Sequence, residues 1–377
     1  LTNINELPFQ RPTHAVIDLD TLHSNYLEIR RAVHPAGVLA VIKSDAYGHG
    51  ARVISRELED LGVERFGTAT VQEAIELRDH GIRIPIIVLS GATIPQIPLL
   101  LQYDLVPSVY DFEFLLALER YTEAHQKIIS IHVTIDTGMG RLGFTPEDAA
   151  AVINKQYSYI RIEGVYTHFA NADVVEDNYT TRQLERFLKW MSDESVDVAY
   201  VHAANSAAVL NFPESHQNLV RPGLLLYGIS PDPDRAIEQR PILSIRSEII
   251  ALRKIPMGAT IGYGRKFRAG RESVIATVPF GYADGLRRAL SNRLQVDVRG
   301  TMCPVAGTIS MDLCMLDVTE VPGVSPGDEV IFIGPNTTCW DWAKLLNTIP
   351  YEITCLIGAR VPRVYYKGGK LFDIYYP

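Results

Sequence analysis

Residues 38–43, VLAVIK, and 65–69, RFGTA, are two apolar runs of strand length separated by a helical stretch, and this beat decides the fold. It recurs outward as AVIDLD (15–20), IPIIVLS (84–90), LVPSVY (105–110), ISIHVTID (129–136), IRIEGVYTH (160–168), VAYVHA (198–203) and NLVRPG (218–223). Amphipathic stretches lie between them, such as Leu22-Tyr26-Ile29-Val33, and Phe114-Leu115-Leu118 behind an Asp111 N-cap. Nine strands with intervening helices between Ala15 and Gly228 predict an α/β fold, a TIM-type (β/α)8 barrel with one strand placed elsewhere. A doubly wound sheet is the alternative, but no GxGxxG follows any strand.

After Pro231-Asp232-Pro233 the rhythm changes. ILSIRSEIIALRKI (242–255), SVIATVPFGY (273–282), LQVDVRG (294–300), MCPVAGTISMDLCMLDV (302–318) and GDEVIFIG (327–334) read as strands joined by Gly/Pro turns. A helical patch, Trp340–Leu346, precedes the strands ARVPRVYY (359–366) and KLFDIYY (370–376). The expected organisation is a barrel domain over 1–236 and a β-rich domain over 237–377, with the strand at about 14–18 packing with the latter.

The 377 residues carry 36 basic and 44 acidic side chains, a net charge of −8. With no Lys/Arg tract, this argues against nucleic-acid and membrane-surface partners. The most apolar stretch, 84–101, is broken by Pro85, Gly91, Pro95 and Pro98, so no bilayer span is expected. Cys303, Cys314, Cys339 and Cys355 form no CxxC and read as buried thiols of a reducing compartment, here the cytoplasm. None of the ten histidines falls in an HExxH or similar spacing, so no metal is expected. The chain opens on Leu1 rather than Met, which reads as an upstream segment removed or trimmed.

The chemistry centres on AVIKSDAYGHG (40–50). A lysine ending an apolar strand projects into the mouth of a barrel, where an amine of lowered pKa can attack an aldehyde. The segment resembles the pyridoxal-phosphate attachment site of alanine racemases. The resemblance continues in order through DTGMGRLGF (136–144), THFANAD (167–173), AANSAAVL (203–210), VRPGLLLYG (220–228), IGYGRKF (261–267), VPFGYADGLRR (278–288), SMD (310–312) and RVPR (360–363).

That family consists of homodimers dependent on pyridoxal 5′-phosphate (PLP), so the resemblance implies interconversion of L- and D-alanine through a PLP aldimine. Lys43 would hold PLP and act as one base. Tyr47, Ser206, Gly223 and Leu224 would cradle the phosphate; Ser206 also reads as a helix N-cap. Arg221 would meet the pyridine nitrogen. An arginine donates and cannot accept a proton, so the ring would stay neutral, a weak electron sink that suits racemisation over side reactions. Tyr263 of the partner subunit would be the second base, with His168 as its neighbour and Arg221 beyond. Arg141 would bond the cofactor's phenolic oxygen and sit near the substrate carboxylate. Met311 would help there, Asp312 would orient the base region, and Tyr282 would narrow the entrance. The product would be D-alanine for peptidoglycan.

Three positions depart from the family pattern. Thr134 stands where many members carry a carbamylated lysine, so a bound anion such as chloride, or water, is expected to hold Arg141. Ala359 replaces a tyrosine that walls the pocket, and Thr308 replaces an arginine near the entrance. The last two changes point to a wider site and some serine activity. The alternatives are a broader-specificity or serine-preferring racemase, a non-catalytic PLP-binding protein, and a fold-related decarboxylase. IGYGRKF and GYADG speak against the binding protein, and Arg221 against the decarboxylase, which typically places a glutamate there.

Overall fold

The structure, a computed structural model, describes residues 11–231 and 239–377. The expected boundary at 236/237 lies outside the described residues. The chain forms two units: one holds Leu22–Tyr47 and Ala51–Arg240, the other the residues up to Thr21, Gly48–Gly50 and Pro241–Pro377.

In chain order the first nine strands are β1 (His14–Asp18), β2 (Gly37–Val41), β3 (Arg65–Thr68), β4 (Ile86–Val88), β5 (Leu105–Val109), β6 (Ile129–Thr134), β7 (Ile160–Tyr166), β8 (Tyr200–His202) and β9 (Leu219–Val220). Strands β2–β9 make one eight-stranded sheet in the order β8-β7-β6-β5-β4-β3-β2-β9, with every pair parallel. A parallel bridge between Asn205 and Arg221, with the Arg221 amide donating to Ala204 O at 2.9 Å, joins the chain after β8 to the chain after β9 and closes the barrel. All eight strands therefore end at one face.

Local chemistry sets the helices between them. Asp111 caps Phe112–His125 by accepting from Phe114 N. Thr70 and Glu73 form a capping box on Val71–Asp79. The helix Ser206–Asn211 is capped by Asn205, which accepts from Ala208 N, and not by Ser206. Ser206 is thereby left with its hydroxyl free of that duty.

In the other unit, β1 pairs antiparallel with β10 (Leu243–Glu248). The remaining strands are β11 (Ala251–Ile255), β12 (Thr260–Ile261), β13 (Phe267–Arg268), β14 (Ser273–Val278), β15 (Gln295–Val298), β16 (Thr301–Pro304), β17 (Cys314–Asp317), β18 (Glu329–Ile333), β19 (Arg363–Lys367) and β20 (Lys370–Tyr375). They make a seven-stranded sheet, β16-β15-β18-β10-β1-β19-β20, a three-stranded sheet β11-β14-β17, and the pair β12-β13.

Three sequence expectations are corrected here. The run 242–255 is two strands in different sheets, parting at Ile249 and Ile250. The run 302–318 is strand only at its ends, and 305–313 is loop. A second helix, Pro350–Cys355, follows Cys339–Leu346 and was not foreseen, being six residues long and opened by a proline. The cysteines form no disulfide; three are buried, but Cys355 is exposed. No helix of the described residues is long and apolar enough to cross a membrane.

Candidate active site

Lys43 lies two residues past the end of β2, partly buried. Behind it Ser44, Asp45, Ala46 and Tyr47 all take left-handed backbone angles, with φ of 53°, 53°, 52° and 55°. Each costs about 1–2 kcal/mol for an L-residue, so tertiary contacts must impose the turn. Glu73 supplies one, accepting the Ser44 amide at 2.7 Å on one oxygen and the Ala69 amide at 2.8 Å on the other. Asp45 accepts the Ala51 amide at 2.7 Å.

Arg221 directly follows β9 and is buried. Its Nη1 donates to His202 Nδ1 at 2.8 Å, and its Nη2 to Thr167 O at 2.8 Å, Ala203 O at 3.0 Å and His168 Nδ1 at 3.2 Å. Guanidinium only donates, so both imidazoles must present a bare Nδ1. A neutral His202 therefore carries its proton on Nε2 and donates to His132 Nδ1, 2.7 Å away. The chain of donors runs one way, from Arg221 to His202 to His132. His132 fits because its β7 neighbour is Gly164, where a Cβ would stand 2.5 Å from the ring.

Burial, reinforced by Arg221, Arg141 and Lys43, pushes His168 down to about 3. Burial with Arg65 and Arg221 does the same to His132, and His202 is also pushed well down, chiefly by burial. All three are neutral near pH 7. His168 then carries its proton on Nε2 and can donate from that atom.

The Arg221 Nε–H makes no hydrogen bond with a described residue and remains available as a donor. Ser206 Oγ accepts the Gly223 amide at 2.9 Å, and a Cβ on Gly223 would stand 2.5 Å from the Tyr47 hydroxyl. The missing Cβ at Gly223 thus makes room for the Tyr47 hydroxyl beside the Ser206–Gly223 contact, and hydroxyl donors of this kind fit a phosphate. Leu224 is buried beside it.

Arg141 sits on a turn organised by Asp136, which accepts the Gly138 and Gly140 amides at 2.9 and 3.0 Å. Its exposed guanidinium bonds no described residue, and Thr134 Oγ1 is buried without a partner.

The other unit carries the remaining candidates. Tyr263 is 73% exposed, and its carbonyl accepts from Thr308 Oγ1 at 2.8 Å. Thr308 is buried, and its hydroxyl holds the segment that presents Tyr263. Tyr282, Met311, Asp312 and Ala359 are exposed. The Tyr282 amide donates to Ser310 O and the Ala283 amide to Met311 O, both at 3.0 Å, and Asp312 pairs with Arg360 at 2.9 Å.

The alanine racemase N-terminal domain model matches residues 17–231 and the C-terminal domain model residues 242–365. The alanine racemase of Halothermothrix orenii is 40% identical over 367 residues, covering 94% of this chain and 97% of its own. Among solved structures, the alanine racemase of Clostridium difficile superposes with a TM-score of 0.92 at 35% identity, covering 97% of this chain and 99% of that one. That of Bartonella henselae, with covalently bound pyridoxal phosphate, gives 0.88 at 28% identity, over 94% and 99%. The chain belongs to the alanine racemase family. It is an enzyme of that family.

Within this alanine racemase fold, three residues of the site escaped sequence reading: Glu73, His132 and His202. Only Glu73 left a local signal, the Thr70-x-x-Glu73 box. The histidines imply a stability test. Below pH 6.5 the unfolded chain protonates imidazoles that the folded chain keeps neutral down to about 3. Stability is therefore complete above 6.5 and falls as pH drops, by about 1.4 kcal/mol per pH unit for each of His132 and His168, with His202 acting in the same direction. Urea midpoints at about pH 7.5 and about pH 5.5 measure it, and equal midpoints would contradict neutral imidazoles.

Proposed function

We propose that the protein interconverts L- and D-alanine as a PLP-dependent homodimer, with Lys43 of one chain and Tyr263 of the other serving opposite faces of the substrate Cα. The observation that carries this is Arg221, a permanently donating group whose Nε–H is unclaimed, locked between two neutral imidazoles. PLP, when bound, draws electrons from the substrate Cα and acidifies its hydrogen. Lys43 holds it and moves a proton at one face. Tyr47, Ser206, Gly223 and Leu224 bind its phosphate.

Tyr263 moves the proton at the other face. A tyrosine of ordinary pKa near 10 is a poor base at neutral pH, so it needs a donor beside its oxygen. The Nε2–H of His168, fixed by Arg221 on the far side of the ring, supplies that donor. Arg141 and the Met311 backbone bind the substrate carboxylate, Asp312 orients the base region, and Tyr282 narrows the entrance. The exposed Tyr263 fits a residue completed by a second chain. The reading includes a cytoplasmic location and supply of D-alanine for peptidoglycan.

Alanine in D₂O should gain deuterium at Cα with no CO₂ released. Release of CO₂ would point to a decarboxylase, and no uptake to a binding protein. Ala359 leaves the wall beside the substrate methyl open, and apolar walls separate neighbouring side chains by only about 1–3 kcal/mol. Serine should therefore turn over at more than about a thousandth of alanine's kcat/KM in a side-by-side assay with lysine and arginine. A lower ratio would count against the open wall.

A further inference from the structure

Asp284 is wholly enclosed, and everything around it leads to the loops that carry the substrate-side residues. Arg11 grips it with two nitrogens at 2.6 Å each. Arg360 reaches its Oδ1 through Nε at 3.1 Å and Nη2 at 2.9 Å, and sends Nη1 to Asp312 at 2.9 Å. The Gly281 amide donates to Asp284 Oδ2 at 2.9 Å, and the Gly358 amide to Asp284 O at 2.9 Å. A Cβ on Gly281 would lie 2.2 Å from Met311 O, so the first two loops meet with no room to spare. Loop 281–284 carries Tyr282, loop 310–313 carries Met311 and Asp312, and loop 357–360 carries Ala359.

We propose that Asp284 and Arg360 are positioning residues that hold these three loops in register, and so set how well the enzyme tells alanine from larger substrates. This rests on the reading of the protein as an alanine racemase. The two arginines have different duties. Arg11 neutralises Asp284 and ties it to Pro279 O at 2.6 Å, with no link to Asp312. Arg360 alone bridges the buried carboxylate to the loop holding Met311 and Asp312. A buried carboxylate stripped of both partners would destabilise the fold, so the arginines, 28% and 47% exposed, are the informative positions.

The test compares Arg360→Met, Arg360→Lys and Arg11→Met holoenzymes. Arg360→Met should raise KM for alanine about tenfold with little change in kcat, and move the serine-to-alanine ratio. Arg360→Lys should recover part of both. Arg11→Met should lower the melting temperature and leave the ratio alone. Hydrogen exchange at 310–313, followed in protein without cofactor, should quicken in Arg360→Met only. Equal effects of the two Met variants, or an unchanged ratio and exchange in Arg360→Met, would overturn the proposal. If the parent protein did not racemise alanine while exchange still quickened in Arg360→Met alone, the racemase reading would fail and the loop-holding role would stand.

Discussion

Lys43→Ala will abolish racemisation and leave a folded protein that no longer retains PLP covalently. Two losses coincide under the proposed roles, in which the amine that anchors the cofactor is also the base at one face of Cα. Removing a positioned proton-transfer group alone costs about 10²–10⁴-fold, and losing the anchor adds to this, so at least about 10³-fold is expected. Lys43 is only partly buried and its removal opens no core cavity, so unfolding should be little changed. Borohydride reduction followed by peptide mass analysis of the parent protein should find the cofactor on the peptide containing Lys43. Attachment at another lysine, or turnover in Lys43→Ala within tenfold of the parent, would refute the assignment.

The second large effect concerns Tyr263. Replacing it with phenylalanine removes one hydroxyl from a side chain 73% exposed in the single chain, so neither folding nor PLP binding should suffer. Turnover should fall by about 10²–10⁴-fold in at least one direction. Subunit exchange sharpens the test. A mixed dimer of Lys43→Ala and Tyr263→Phe chains regains one intact site if each site draws on both subunits, and none if each is built within one chain. Random re-pairing of two inactive variants should restore about a quarter of the parent activity. Unchanged rates in Tyr263→Phe, or no recovery on mixing, would remove the shared two-base site.

The barrel was legible because eight apolar runs punctuate residues 38–223 at a steady beat, each long enough for a buried parallel strand. The β-rich unit was harder to read. Ile249 is buried and its neighbour Ile250 is 48% exposed, so two adjacent isoleucines hide the point where the chain changes sheet. Lys43, Arg221 and Tyr263 stood out through the motifs around them. His132 and His202 did not, being single polar residues inside apolar strands 70 positions apart that meet only when the barrel closes. Asp284 was equally hidden, since its partners lie 273 residues upstream and 76 downstream. Capping at Ser206 was misread by one position because Asn205 is also a good cap.

The left-handed turn behind Lys43 bears on the order of maturation. Four L-residues in that conformation oppose it by about 4–8 kcal/mol together, so a nascent or half-folded chain holds residues 43–47 as an ordinary flexible stretch. In that state Lys43 is one surface amine among many and has no special claim on an aldehyde. The turn forms once Glu73 has been brought across on the helix that follows β3, the second barrel strand. With Lys43 as the proposed anchor, cofactor loading is expected to follow barrel closure, so that uptake would select chains whose barrel has already formed.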